Sequence, residues 1–278
     1  MKAKPYQKVF IYLLFAVIIS VCIFPLFWQL VASLKFENQI FTRNLTLIPK
    51  PMTWENYLKV FTTEGNFLRY ITNSVMISAI VTVICLLISS LAAYALGRLQ
   101  FHGKYIVFSI FLIGAMFPQI AIITPLFLFF KSLNLLDSYL SLIIPYTAFN
   151  IPITVWVLSE YFKEIPSEID DAAKIDGCSY FQVFSKIMAP LVAPGLVATG
   201  LLILIACWNE FIFSLTFIRS DQLRTVPVAI ALFPGVHNNL PWGQISAASF
   251  SVTLPIILIV LVFQKRIISG LTAGAVKA

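Results

Sequence analysis

The stretch YITNSVMISAIVTVICLLISSLAAYALG, from Tyr70 to Gly97, decides the fold. Arg69 and Arg98 bracket it, and no Asp, Glu, Lys or Arg interrupts it. A helix needs roughly 20 apolar residues to cross the hydrocarbon core of a bilayer, so the stretch is long enough. In lipid every backbone N–H and C=O must be satisfied within its own segment, which makes it a helix. Working outward, charge-free intervals also lie between Lys8 and Lys35, Lys104 and Lys131, Asp137 and Glu160, and Lys186 and Glu210. A last interval runs from Arg224 to Lys265 and becomes apolar near Ala247. The expected spans are six, near 9–33, 71–96, 105–130, 139–162, 191–218 and 247–264.

Composition points the same way. The 278 residues are 59% hydrophobic and 11% charged, whereas a soluble domain carries about 25% charged residues. So few charges exclude soluble enzymes, nucleic-acid modules and disordered chains. Long continuous apolar runs exclude the alternating strands of an outer-membrane barrel. The fold class is an all-α membrane protein with six transmembrane helices. Residues 1–70 form the first helix and an extracytoplasmic loop with a short helix near Trp54–Phe61. Residues 71–264 form a five-helix core, and 265–278 a cytoplasmic tail.

An even number of spans puts both termini on one side. The segments on that side (1–8, 98–104, 163–190 and 265–278) hold eleven Lys and Arg in 57 residues, against eight in 70 on the other. The bias favours cytoplasmic termini in a multi-pass protein of the cytoplasmic membrane, and accounts for the net charge of +7 without nucleic acid. The first span is too long for a signal-peptide core and is read as retained. Prolines 118, 125, 145, 152, 194 and 255 each remove a helix hydrogen bond. They either kink a bundle that tolerates them or break helices that line a watery path.

The cytoplasmic stretch 163–190 carries most information. It contains Pro166-Ser167-Glu168-Ile169-Asp170-Asp171-Ala172-Ala173-Lys174-Ile175-Asp176-Gly177-Cys178-Ser179-Tyr180-Phe181-Gln182. Ser167 and Asp170 are spaced as a capping box, and Glu168, Asp170 and Asp171 suit the positive end of a helix. Ile169, Ala172, Ala173 and Ile175 supply an apolar face. Gly177 is placed to end the helix in a left-handed turn. Ser179 with Gln182 then opens a second apolar helix through Tyr180, Phe181, Val183, Phe184, Ile187 and Met188, stopped by Pro190. Such a hairpin either rests on lipid headgroups or docks into a groove on another protein. Its five acids would face an anionic leaflet that prefers basic residues, which favours docking.

Asp170-Asp171-Ala172-Ala173, then Ile175-Asp176-Gly177, then Gln182, Phe184, Ile187, Pro190 and Pro194, resembles the EAA signature of type I ABC importer permeases. Asp171 stands where that signature has Glu, and Ala189 where Leu usually precedes the proline. Further stretches resemble the sugar-permease, maltose/trehalose-type branch: Ile48-Pro49, Glu55-Asn56-Tyr57, Asn73-Ser74, Ala93-Tyr94-Ala95-Leu96, Phe101-His102-Gly103-Lys104, Trp208-Asn209-Glu210, Thr225-Val226-Pro227-Val228 and the tail from Gly270 to Lys277. The likeness spans nearly the whole chain. It implies the type I permease fold with a cytoplasmic coupling helix, in a pore-forming subunit for a di- or oligosaccharide. The implied partners are a second homologous permease, two ATPase subunits and an extracytoplasmic solute-binding protein. It makes Asp170, Asp171, Ala172, Ala173, Asp176, Gly177 and Phe181 the ATPase-coupling residues.

The sequence has no Gly-x-x-x-x-Gly-Lys-[Ser/Thr] phosphate loop, so no cofactor is expected on this chain, and ATP and Mg are expected on the partner ATPase. His102 and His237 are solitary and suggest no metal site. No catalytic residues and no enzymatic activity are expected. Glu210 is the one acid well inside a span, beside Trp208 and Asn209. Carboxylate, amide and ring would suit sugar hydroxyls and a sugar face, or a structural hydrogen bond within the bundle. Asn73, Gln119 and Asn150 join them as candidates for the substrate path, with interhelical hydrogen bonding as the alternative role. Two other classes stand beside the importer. A self-contained secondary transporter or channel would usually show inverted repeats and ion-coupling acids. A membrane-embedded transferase would need a cluster of catalytic groups at one depth.

Overall fold

A computed structural model describes residues 5–42, 46–63, 66–233 and 240–273. Among them every regular element is helical. The helices are α1 (Pro5–Ser33), α2 (Glu37–Ile40), α3 (Glu55–Leu58), α4 (Phe67–Arg98), α5 (Lys104–Ala115), α6 (Gln119–Ser132), α7 (Leu140–Glu164), α8 (Ser167–Ile175), α9 (Tyr180–Gln182), α10 (Ala189–Leu191), α11 (Ala193–Trp208), α12 (Ile212–Phe217), α13 (Val226–Ala231) and α14 (Trp242–Ala273). Four are long and apolar enough to cross a bilayer singly: α1, α4, α7 and α14. Two bent pairs bring the number to six.

The bent pairs correct two expected straight spans. The interval 105–130 is α5 and α6, bent by 91° at a break over Met116–Pro118. Pro118 forces extended backbone just before α6 (φ −70°, ψ 119°), and the residue preceding a proline is itself pushed from the helical region. The interval 191–218 is also divided. The hairpin's second arm meets α11 at 77°, and α11 stops at Trp208 before the chain restarts as α12. Prolines 125, 145, 152 and 255 all lie inside continuous helices. The last span is longer than expected, since α14 starts at Trp242 and its backbone stays helical through 265–273, where a tail was expected. The last five residues of that tail, the turn-rich 234–239 with His237, and Lys2, Lys4, Asn44 and Gly65 lie outside the described residues.

The chain divides into two compact units. One comprises Met1–Leu68 and Ile230–Pro255, the other Arg69–Ala229 and Ile256–Ala278. In the first, no residue in the most apolar window of α1 is buried. Its C-terminal end is held by Asn56, whose amide donates to the carbonyls of Ser33 and Lys35 at 2.8 Å each. The first is an orphan acceptor of the last helical turn, and the second lies two residues beyond it. Tyr57 and Ser33 share a hydroxyl hydrogen bond of 2.7 Å. Gly243 permits the fit, because a Cβ there would lie 2.7 Å from the Asn56 amide.

In the second unit one apolar cluster joins Ile77, Val81 and Cys85 of α4 with Tyr146, Cys207, Phe213 and Phe217. A second gathers Tyr94, Leu158, Phe162, Ala173, Val183 and Met188 around the root of the hairpin. At the end of α4 away from the hairpin, the Asn73 amide donates to the carbonyls of Gln222 and Arg224 at 2.9 Å each, and its oxygen accepts from the Tyr139 hydroxyl at 2.8 Å. The Ser74 hydroxyl accepts from the Val226 N–H at 2.9 Å. Asp137, in the α6–α7 turn, accepts from the N–H groups of Arg219 and Ser220 at 2.9 and 2.8 Å, and from the Ser220 hydroxyl.

Candidate functional site

The hairpin forms at one end of the second unit. Helix α8 ends as expected. Gly177 takes φ +79°, its N–H donates to the Lys174 carbonyl, and the Cys178 N–H donates to the Ala173 carbonyl, both at 3.0 Å. This is the double hydrogen bond of a Schellman turn, open to glycine because no Cβ is present to clash. Ser179 and Gln182 form the expected capping box. The box expected at Ser167 does not form. Pro166 takes the cap position, and the Asp170 carboxylate bonds instead to Arg98, the last residue of α4. Nor does Pro190 stop the second arm. The helical backbone continues through a π-turn over Val183–Met188 into α10 and ends at Leu191, one residue beyond the proline. The arm turns at Val192.

The apolar face expected on α8 is split. Ala173 is buried and Ile169 half-buried, while Ala172 is exposed and Ile175 is 87% exposed. Across the turn Tyr180 and Phe181 are 60% and 67% exposed. Asp171, Asp176 and Glu168 are exposed on the same hairpin, and Lys174 pairs with Asp171 at 3.5 Å and stands 6.0 Å over the Tyr180 ring. The result is an apolar ridge with an acidic rim, backed by the buried Val183, Met188 and Ala173. Of the predicted coupling residues, Asp171, Ala172, Asp176, Gly177 and Phe181 lie on the outer surface. Ala173 and Asp170 are turned inward.

Arg98 is a residue that sequence reading missed. Its guanidinium donates through Nε to Asp170 at 2.5 Å, and a second nitrogen also contacts that carboxylate. It donates further to the carbonyls of Ile165 at 2.6 Å, Pro166 at 3.0 Å and Phe162 at 3.4 Å. One side chain thereby covers the C-terminal carbonyls of α7 and neutralises an acid in the first turn of α8, as helix dipoles favour.

The second feature is a cavity of about 370 Å³ at the two helix breaks. It is lined by Gln119 at the start of α6, by Tyr146, Phe149 and Asn150 of α7, and by Asn209, Glu210 and Phe211 between α11 and α12, with neighbouring residues. The Glu210 carboxylate accepts from the Phe213 N–H at 2.9 Å and the Ser214 N–H at 3.3 Å, satisfying the first turn of α12. It also accepts from the Tyr146 hydroxyl. The Asn150 amide donates to the Tyr146 carbonyl at 2.8 Å, and the Asn209 amide to that of Ile205 at 2.8 Å. Glu210 is the one charged side chain among the described lining residues. The candidates Gln119, Asn150, Asn209 and Glu210 thus line one cavity. Trp208 is 6% exposed and packs in the protein, and Asn73 serves the clamp at the end of α4. Tyr146 and Phe149 were missed because an aromatic residue in an apolar span reads as core. Their polar spacing to Asn150 was the available signal.

Residues 89–272 match the family model described as "Binding-protein-dependent transport system inner membrane component". The chain is 43% identical to the trehalose/maltose transport system permease protein MalG of Thermococcus litoralis, over 92% of each chain. It is 39% identical to the trehalose transport system permease protein SugB of Mycobacterium tuberculosis, over 94% of each. Its fold matches a chain of a solved bacterial ABC transporter involved in the import of the acidic polysaccharide alginate. The TM-score is 0.79 at 20% identity, covering 95% of this chain and 99% of that one. These relatives are transport permeases, and a self-contained carrier or a transferase is not favoured. The chain belongs to the inner membrane components of binding-protein-dependent transport systems.

Proposed function

We propose that this chain is the pore-forming subunit of an ATP-driven importer for a maltose- or trehalose-like di- or oligosaccharide. The partners in this reading are a second, homologous permease, two ATPase subunits that bind ATP and Mg, and an extracytoplasmic binding protein. Both termini and the hairpin lie in the cytoplasm. The observation that carries the reading is the exposed ridge of Ala172, Ile175, Tyr180 and Phe181 with its acidic rim, on a hairpin whose inner face is packed into the bundle. A groove in the ATPase with basic edges is the complementary surface.

The mechanism follows from the packing. ATP binding draws two motor domains together, and a rigid hairpin seated in each must move with it. Helices α7 and α11 are joined to the hairpin and both line the cavity, α7 through Tyr146, Phe149 and Asn150 and α11 through Ala206 and Cys207. Displacing them changes the side to which the cavity opens. The stroke acts only through the difference in contact free energy between the two states. Amide, carboxylate and phenol groups beside Phe149 and Phe211 suit a neutral polyhydroxylated ring, whose hydroxyls they can pair and whose apolar face they can cover.

Purification of the tagged chain from its native membranes in mild detergent tests the reading. A subunit carrying the phosphate-loop signature should copurify, and a crosslinker placed at Ala172 should reach it. Sugar transport by the purified chain alone in vesicles would overturn the proposal. A sugar panel on the copurifying binding protein identifies the substrate.

A further inference from the structure

We infer that Arg98 is the positioning residue that locks α4 to the coupling hairpin, so that the motor's stroke drives a third span besides the two joined to the hairpin. The inference rests on the coupling function proposed above.

Helices α7 and α11 leave the hairpin through the backbone. Helix α4 is 72 residues from Asp170 in sequence, so only non-covalent contacts can make it follow. Two kinds are present. The rings of Tyr94, Phe162 and Phe184 pack with centroids 5.5–6.3 Å apart. Packed surfaces of this kind permit small sliding, the shear by which helices commonly shift. The Arg98 fork does not slide. It engages Asp170 and the carbonyls of Ile165 and Pro166 at once, fixing α4 against both ends of the α7–α8 corner. The two charged side chains are 8% and 10% exposed, so water does not readily exchange into the contact. Gly97 brings the backbones together, since a Cβ there would lie 2.9 Å from Cβ of Phe162 and 3.1 Å from the Ser159 carbonyl.

What α4 would move lies further along it. Ile77, Val81 and Cys85 share one buried cluster with Tyr146, Cys207 and Phe213, which line the cavity. The Cys85 thiol also contacts the Thr147 carbonyl at 3.6 Å. A stroke passed through Arg98 therefore reaches the packing behind the cavity wall.

The complete complex, with its ATPase and binding protein in proteoliposomes, provides the test as sugar moved per ATP hydrolysed. Removing Arg98 alone strands a buried carboxylate. The deciding variant is therefore Arg98→Met with Asp170→Leu, which exchanges the pair for apolar side chains that can pack. The ATPase should copurify with it as with the wild type, while transport per ATP falls about tenfold. Arg98→Lys should fall between, because an ammonium on a flexible stem cannot hold the same acceptors together. Wild-type coupling in the double variant overturns the inference and leaves the coupling function standing. A wild-type preparation without ATPase overturns the coupling function itself. Should the double variant not assemble, spin labels at Gln100 and Ser185, both exposed, decide the matter in a chain with Arg98 intact. Their separation should stay constant between nucleotide-free and ATP-bound states, and a change of several ångströms overturns the lock.

Discussion

The hydroxyl of Tyr146 donates to the carboxylate of Glu210 across 64 residues of sequence, at the point where α11 ends and α12 begins. The same carboxylate accepts two backbone N–H groups of α12. Glu210 therefore both restarts a helix and presents charge to the cavity, and the two roles separate by substitution. Glu210→Gln keeps an acceptor for the Phe213 N–H. Glu210→Ala leaves that N–H and the Tyr146 hydroxyl unpaired, at about 1–3 kcal/mol for each buried group left unsatisfied. Thermal unfolding of the purified complex should rank wild type above Gln and Gln above Ala. Equal stability of the two variants would remove Glu210 as the organiser of the break.

Gly177 offers a cleaner separation. A Cβ there would meet nothing within 4 Å, so a substitution pays only the backbone cost of φ +79°. For most residues that is about 1–2 kcal/mol, with Asn the tolerant exception. Gly177→Asn should keep near-normal transport per ATP. Gly177→Val should loosen the turn and uncouple hydrolysis from uptake while the chain remains in the membrane. Normal coupling in the Val variant would argue against the hairpin as the transmitting element.

Gly195 tests the packing of α11 on α7. A Cβ at this position would lie 2.7–2.9 Å from ring atoms of Tyr161, which would have to move. Gly195→Ala should destabilise by about 1–3 kcal/mol, as overpacking does. The paired variant Gly195→Ala with Tyr161→Leu should recover part of the loss, since the ring that blocks the methyl is gone. Differential scanning of the complex in detergent reads both. No loss in the single variant would show that the α7–α11 contact is loose at this level.

Features that depend on neighbours in sequence were readable, and those that depend on distant partners were not. The spans follow from charge-free length alone, and Gly177 and the Ser179–Gln182 box follow from spacings of a few residues. The box at Ser167 failed because Asp170 has a stronger partner in Arg98, which no local pattern pairs with it. The break after Trp208 carries no proline, only Asn209 and Glu210 set between two apolar stretches, a pair that a continuous helix could also have held. Its cause is tertiary, in the hydrogen bonds Glu210 makes to Tyr146 and to α12. At Pro118 the proline was visible, but the 91° turn was not, because a proline within a helix and one between two helices look alike in sequence. Four polar residues of the cavity wall were found from their cost in an apolar span. Trp208 shares that stretch and yet packs inward, since periodicity does not assign a face next to a break.

Asp137 links the α6–α7 turn to the chain after α12, and its linkage is to pH. Burial raises its pKa, but the Ser220 hydroxyl and the N–H groups of Ser220 and Arg219 together outweigh burial and hold the carboxyl below its usual range. A depressed carboxylate contributes stability that is present above the unfolded pKa, about 3.9, and is lost as pH falls through the folded value. Asp137→Asn is a clean comparison. Asn tolerates the positive φ of 57° found at this position and can still accept through its side-chain oxygen, but it carries no charge. At neutral pH the wild-type complex should unfold at the higher temperature. The gap should hold down to about pH 4 and close below it, as the carboxyl takes its proton. A gap that stays constant into the acid range would mean that shape, and not charge, makes the clamp.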